Sequence, residues 1–223
     1  MALAAHTKDC TSLSDTELIE MADLCAEREV CFDIGFLSKQ REEWVLVTQV
    51  KEGSKLRAFS FCTLERIGGT PSLLVGLAAT DRTARCEPAL RAMMADQYRR
   101  ALLAFPDEDV LLGTRLMTAD GFKAFAKLSE VVPRPDHRPS GEERAWARRL
   151  AKRFGADGRL DDRTFVTKGT GSPSGGLDFE STRFDKATEL EDMFSKMDLK
   201  RGDRLVAFGW AMAEDLASGR LGK

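Results

Sequence analysis

Apolar and polar positions change period along this chain, and each change marks an element. Ser14-Asp15-Thr16-Glu17 reads as a capping box: the Ser14 side chain accepts from the Glu17 amide, and Glu17 reaches back to the Ser14 amide. Leu18, Met21, Ala22 and Cys25 then recur at helical spacing and predict a helix to about Glu29, with Leu13 and Leu18 as a hydrophobic staple. Cys31 to Leu37 is short and apolar; it fits a strand or a helix end, and Gly35 favours neither. Trp44 to Val50 is dense in β-branched and aromatic residues and predicts a strand, closed by a turn over Lys51 to Ser54.

Leu56 to Phe105 is the most strongly patterned stretch. Phe59, Phe61, Thr63 and Glu65 share one face of a strand ending at Ile67, and Ala58, Ser60, Cys62 and Leu64 share the other. Both faces carry apolar residues, which predicts a central strand. Gly68 to Pro71 turns the chain, and Ser72 to Ala79 returns it as a second strand in which Gly76 predicts a bulge or a close backbone approach. Pro88 suits a first helical position, where its missing amide is no loss. Leu90, Met93, Met94, Gln97, Tyr98, Ala101 and Phe105 then trace an inward face, opposite Arg91, Asp96, Arg99 and Arg100. Val110 to Arg115 reads as a short buried strand, and Thr118 or Asp120 as the cap of a helix bearing Phe122, Phe125 and Ala126.

The second half is less regular. Val132 to Pro139 is a proline-punctuated, extended linker that leads to another capping box at Ser140 and Glu143. Trp146, Leu150 and Phe154 lie four apart on the helix that follows, and Gly155 supplies its left-handed stop. Arg163 to Lys168 predicts a strand, and Gly169 to Gly176 a mobile surface loop. Asp185 to Met197 predicts a helix with Ala187, Leu190, Phe194 and Met197 inward, and Arg204 to Trp210 a strand, followed by a short helix to about Ser218. These elements divide the chain into a core at 1–132, a linker and amphipathic helix at 133–162, and C-terminal strands and helices at 163–223 that continue the same domain or pack on it.

Composition narrows the partners. Lys and Arg total 34 against 36 for Asp and Glu, so a net charge of -2 offers no global field for nucleic acid or an anionic membrane. No apolar run approaches the roughly 20 residues of a membrane helix, and Met1 to Cys10 has no basic region followed by an apolar one, so a cytoplasmic protein is expected. Cys10, Cys25, Cys31, Cys62 and Cys86 show no C-x-x-C spacing and read as reduced thiols. With only His6 and His137, no metal centre is expected.

The order helix, three strands, helix, strand, helix, then two later strands resembles the GNAT superfamily of acyl-CoA-dependent N-acetyltransferases, most clearly from Ser14 to Leu128. Gly121 to Leu128 is similar to the family's helix after its fifth strand, and Arg163 to Lys168 and Arg204 to Trp210 to its last two strands. The resemblance implies an α+β fold with a central, mostly antiparallel sheet flanked by helices. It also implies that the pantetheine arm of acetyl-CoA or another acyl-CoA lies along Leu77, Ala78 and Ala79 in a cleft where this strand diverges from its neighbour. The pyrophosphate would lie at the next loop and helix start, near Arg82 and Arg85. In Arg82 to Glu87 the sequence departs from the family's Gln/Arg-x-x-Gly-x-Gly/Ala pattern: Arg85 and Glu87 stand where small residues belong. The thiolate-protonating tyrosine that many members carry is matched here by Phe125.

Acyl transfer needs a base, oxyanion donors and an acid. Glu65 and Asp81 are the candidate bases, each with the alternative of a solvated strand-end carboxylate. Thr114-Arg115, after a buried strand, is the polar pair placed to bind a carboxylate or phosphate, or to form a structural ion pair. Cys62 and Cys86 lack a nearby histidine and read as core thiols. The basic helix face of Arg144, Arg148, Arg149, Lys152 and Arg153 lacks interleaved aromatics, and a solvated face is expected rather than a nucleic-acid surface. Two readings stand. One is acyl transfer to an unknown small-molecule or protein amine. The other is a non-catalytic interaction or ligand-binding module without acetyl-CoA, which a cleft beside Leu73 to Ala79 filled by the protein's own groups would favour. Homo-oligomers are left open.

Overall fold

In a computed structural model, which describes residues 2–26, 28, 30–182 and 188–222, the chain begins with a strand, Leu3–Asp9 (β1). Its polar sequence gave no sign of pairing, yet it runs antiparallel to Leu46–Glu52 (β2) along its whole length. Between them lie α1 (Asp15–Cys25) and α2 (Ile34–Glu43). The capping box at Ser14 and Glu17 is present. The short apolar stretch around Gly35 is the start of α2, capped by Asp33, whose side chain accepts from the Phe36 amide at 2.7 Å. Of the helix expected to reach Glu29, Glu27 and Glu29 lie outside the described residues.

β3 (Lys55–Ile67) and β4 (Thr70–Thr80) form a long hairpin around Gly68-Gly69, as the alternation predicts. α3 (Cys86–Ala104) packs on β1 to β4, and its Gln97 amide donates to Ser60 Oγ at 2.5 Å. Pro88 is the third helical residue rather than the first, still within the turn that has no use for its amide. Asp96, assigned to the outer face, is buried: Thr7 of β1 donates to it at 2.5 Å, and Arg99 and Arg100 at 2.6 and 3.0 Å. The unrecognised strand β1 accounts for the difference.

β5 (Val110–Leu116) follows, then a 3-10 turn at Ala119–Phe125 in place of the expected α-helix, and a strand, β6 (Ser129–Val132), at the head of the linker. α4 (Gly141–Arg153) has its capping box and ends at Gly155, with φ +67. Arg163 to Lys168 holds only the two residues of β8 (Val166–Thr167), paired with β7 (Leu160–Asp161). β9 (Leu177–Asp178), α5 (Thr188–Asp192), β10 (Arg204–Ala211) and α6 (Ala213–Ala217) complete the order. Within the helix expected over Asp185 to Met197, Asp185 to Ala187 lie outside the described residues, and Leu190, Phe194 and Met197 are half-buried.

Among the described residues the ten strands join one sheet in the order β1-β2-β3-β4-β9-β5-β10-β8-β7, with β6 also paired to β10. The C-terminal strands therefore continue the sheet of the core. The fold is α+β, a mostly antiparallel sheet flanked by helices, in which β4 runs parallel to β5 and β9 runs parallel to both. The contact of β4 with β5 covers only Ser72–Val75 against Leu111–Thr114, after which the two strands part.

The parting has a local cause. Cys62 pairs with Val75 and Phe61 with Leu77, so Gly76 is an extra residue, the bulge its glycine predicts. The buried Trp44 ring lies against it, where a Cβ would overlap the indole. Gly76→Ala should therefore lower stability by about 1–3 kcal/mol, the usual cost of overpacking, read as a lower urea midpoint at unchanged slope.

Candidate functional site

Where β4 and β5 part, their facing backbone groups lose each other as partners. Thr114 and Arg115 sit at this fork and satisfy its first carbonyls: Thr114 Oγ1 donates to Val75 O at 2.7 Å, and Arg115 Nη2 to Gly76 O at 3.4 Å. Beyond them the gap is filled by the chain itself. β9 enters parallel to both strands, Leu177 opposite Ala78 on one side and Leu116 on the other. The Ala78 amide donates to Gly176 O at 3.0 Å, and the Met117 amide to Leu177 O at 3.2 Å. Gly175 and Gly176 are needed for this passage, since a Cβ at Gly175 would lie 2.6 Å from Gly76 O and one at Gly176 2.9 Å from Arg115 O. The segment expected to be a mobile surface loop thus ends inside the sheet. The signal was present in Leu177-Asp178-Phe179, an apolar-polar-apolar triplet after the glycines, but two residues of strand are too short to read by period.

β9 is fastened along its length. Asp178, 3% exposed, forms a buried ion pair with Arg28, whose Nη2 also donates to Thr80 O at the end of β4. Phe179 is fully buried, and its carbonyl accepts from Thr118 Oγ1. Glu180 pairs with Arg82 at 3.0 Å. The Ser181 amide donates to Asp120 at 2.8 Å, and its hydroxyl to Glu87 at 2.6 Å; Glu87 also takes Lys123 at 2.5 Å. Residues 175–181 therefore run from the fork, between the two strands, to the start of α3.

The residues expected to hold a cofactor are accordingly committed. Leu77, Ala78 and Ala79 are buried, and Ala78 and Ala79 pair with β9. Arg82 is joined to Glu180, and Arg85 to Glu52 at 2.7 Å. Arg57 links that Glu52 to Asp81, at 2.6 and 2.7 Å. Glu87 in the first turn of α3 and the missing amide of Pro88 make that helix start a poor phosphate seat, since phosphates there need free amides and an unopposed dipole. In this arrangement the residues do not fit an acyl-CoA.

The candidate bases are not brought together. Glu65 pairs with Ser72, roughly 20 Å along β4 from Ala78 at the usual strand rise, and forms an ion pair with Arg153 at 2.7 Å. Asp81 lies beyond the end of β4 with one oxygen on Arg57 and Thr83 and the other, Oδ1, buried without a hydrogen-bond partner. Tyr98 donates to Ala124 O at 3.1 Å, and burial pushes its hydroxyl pKa up. Phe125 is buried, and burial pushes the Cys62 thiol up to about 12. On α4, Arg148 pairs with Asp162, Arg153 with Glu65, and Arg149 lies 4.8 Å from the Trp146 ring. Among the described residues no group of three His, Cys, Asp or Glu is placed to hold a metal ion, and no helix is long and apolar enough to cross a membrane. Breaking the buried pair should show how firmly β9 is held: Asp178→Ala should cost about 3–5 kcal/mol in chemical denaturation by stranding Arg28, and Arg28→Met with Asp178→Leu should recover most of it.

No protein-family model matches the chain, and no curated protein matches it. Solved structures do share its fold. The ribosomal-protein-S18-alanine N-acetyltransferase of Escherichia coli is 12% identical, with a TM-score of 0.43 over 62% of this chain and 86% of its own. Escherichia coli ElaA is 14% identical, with a TM-score of 0.39 over 63% of this chain and 95% of its own. A chain of the NatC complex bound to Gag peptide and CoA is 12% identical, with a TM-score of 0.39 over 56% of this chain and 82% of its own. At these values the likeness carries no argument about function, and the description of the fold rests on the chain's own sheet, whose strand fork is occupied by β9.

Proposed function

We propose that this protein is a non-catalytic, GNAT-like binding module that does not take acyl-CoA between β4 and β5. One observation carries the reading: the Ala78 and Met117 amides, which face the fork, are already paired with Gly176 and Leu177. A pantetheine arm would have to replace a strand that offers the same backbone hydrogen bonds and, in addition, two buried side chains, Leu177 and Phe179, and an ion pair. Displacing it exposes that apolar surface and separates Arg28 from Asp178, both unfavourable by several kcal/mol. The commitment of Arg82 and Arg85 to Glu180 and Glu52 supports the same reading, because each would have to give up a carboxylate to meet a phosphate. So does the pairing of Glu65 with Arg153 and of Asp81 with Arg57, which engages each candidate base in an ion pair.

Calorimetry with acetyl-CoA tests the reading. The expected outcome is no saturable heat at millimolar cofactor. Saturable binding that Arg82→Ala and Arg85→Ala weaken would contradict it and return the chain to the acyl-transfer reading.

A further inference from the structure

Arg115 is a buried cation with no direct ion pair among the described residues, although Glu43 acts on it at longer range. It is 6% exposed, and the acceptors around it are neutral: Phe154 O at 3.3 Å and Ser174 Oγ at 3.2 Å on Nη1, Gly76 O at 3.4 Å on Nη2, and the Phe154 ring 4.9 Å away. Nε has no hydrogen-bond partner, and among the described residues no carboxylate pairs with the guanidinium. Desolvation, and then the nearby Arg204, push its pKa down to about 10. Burying a cation whose direct hydrogen bonds all go to neutral acceptors is costly, and arginine is the side chain whose planar fork suits a carboxylate.

Arg115 is also part of the wall of a cleft of about 590 Å³ between α2, the end of α4 and the Gly169 to Gly175 loop. Lys39 and Arg159 join it there, facing the carboxylates of Asp33 and Glu43, so three cations meet two anions. The loop brings the hydroxyls of Thr170, Ser172 and Ser174 to the same cleft. It is held in place: the Gly169 amide donates to Asp203 at 2.8 Å, the Gly171 amide to Arg201 O at 2.9 Å, and Arg204 Nη2 to Ser174 O at 2.7 Å.

We propose that this cleft binds a small organic monoanion through its carboxylate, with Arg115 as the principal recognition group. A carboxylate offers the two oxygens that the guanidinium fork takes, and the acids at Asp33 and Glu43 disfavour a second negative charge on the ligand. Hydroxyls and a buried, orienting arginine are polar groups of the kind that fix a small ligand in a cleft. The proposal rests on the reading above, because Ser174 and Gly175 line the cleft only while β9 occupies the fork.

The test is titration of the full-length chain with sodium acetate, sodium pyruvate and inorganic phosphate at matched ionic strength, followed by the amide resonances of Phe36, Gly155, Ser172 and Ser174 and by the Arg115 Nε–H. Saturable shifts with the carboxylates are expected, at least about tenfold tighter than with phosphate. Arg115→Lys, which keeps the charge and loses the fork, should weaken them at least about tenfold. Lys39→Gln, on an exposed residue, should weaken them about threefold and decides the matter with the wild-type Nε shift if the arginine variant fails to fold. Absence of saturable shifts overturns the proposal, phosphate binding as tightly as carboxylate overturns the assignment, and unchanged affinity in both variants overturns the location. Calorimetric binding of acetyl-CoA would instead overturn the reading of the fork; its absence together with absent carboxylate shifts would overturn only this inference.

Discussion

A backbone that leaves a β-ladder must find other partners for its amides and carbonyls, and the fork between β4 and β5 is where this protein meets that demand. After Val75 and Thr114 the two strands no longer pair. Two carbonyls are met by the side chains of Thr114 and Arg115. Two amides are met by Gly176 and Leu177. The bulge at Gly76, the Trp44 ring against it and the paired glycines at 175 and 176 are consequences of the same geometry: a strand can be inserted there only if the backbones approach without side chains between them.

This solution fixes what the site can do. In a fold whose fork is open, the unpaired amides are a binding resource. Here the chain uses them internally and adds Leu177, Phe179 and the Arg28–Asp178 pair as further reasons for the insert to stay. The same path brings Glu180 and Ser181 to the start of α3, where they meet Arg82 and Glu87. The residues of Arg82 to Pro88 and the occupation of the fork thus belong together, since Glu87 at this helix start meets Ser181 and Lys123. The cleft around Arg115 lies on the outer side of the same insert, so closing one site builds the wall of another.

Much of the fold was legible in the residues. β2 to β5 are contiguous runs of apolar and β-branched side chains, and the boxes at Ser14 and Ser140 announced their helices. Gly76 in the middle of a buried strand pointed to a bulge or a close approach, and the structure has both, an extra residue and the Trp44 ring against it. β1 was not legible: an edge strand of alternating half-buried and exposed residues, Leu3–Asp9, has no strong period, and with it went the burial of Asp96. α2 was obscured by Gly35, although Asp33 carried the capping signal. Of the candidate site, Thr114 and Arg115 were singled out as a polar pair after a buried strand; they lie within β5, at the fork. Glu65 was chosen by its place near a strand end and Asp81 by its place at the mouth of the expected cleft, and neither reveals that Arg153 and Arg57 pair with them. β9 escaped because its identity is tertiary: two residues become a strand only between two others.

The insertion of β9 is best judged by native-state hydrogen exchange at the Ala78 and Met117 amides. If β9 closes the fork, both exchange as slowly as the amides of the β3–β4 hairpin, and acetyl-CoA leaves their rates unchanged. Fast exchange at both positions, or protection that appears only when acetyl-CoA is added, would contradict the account.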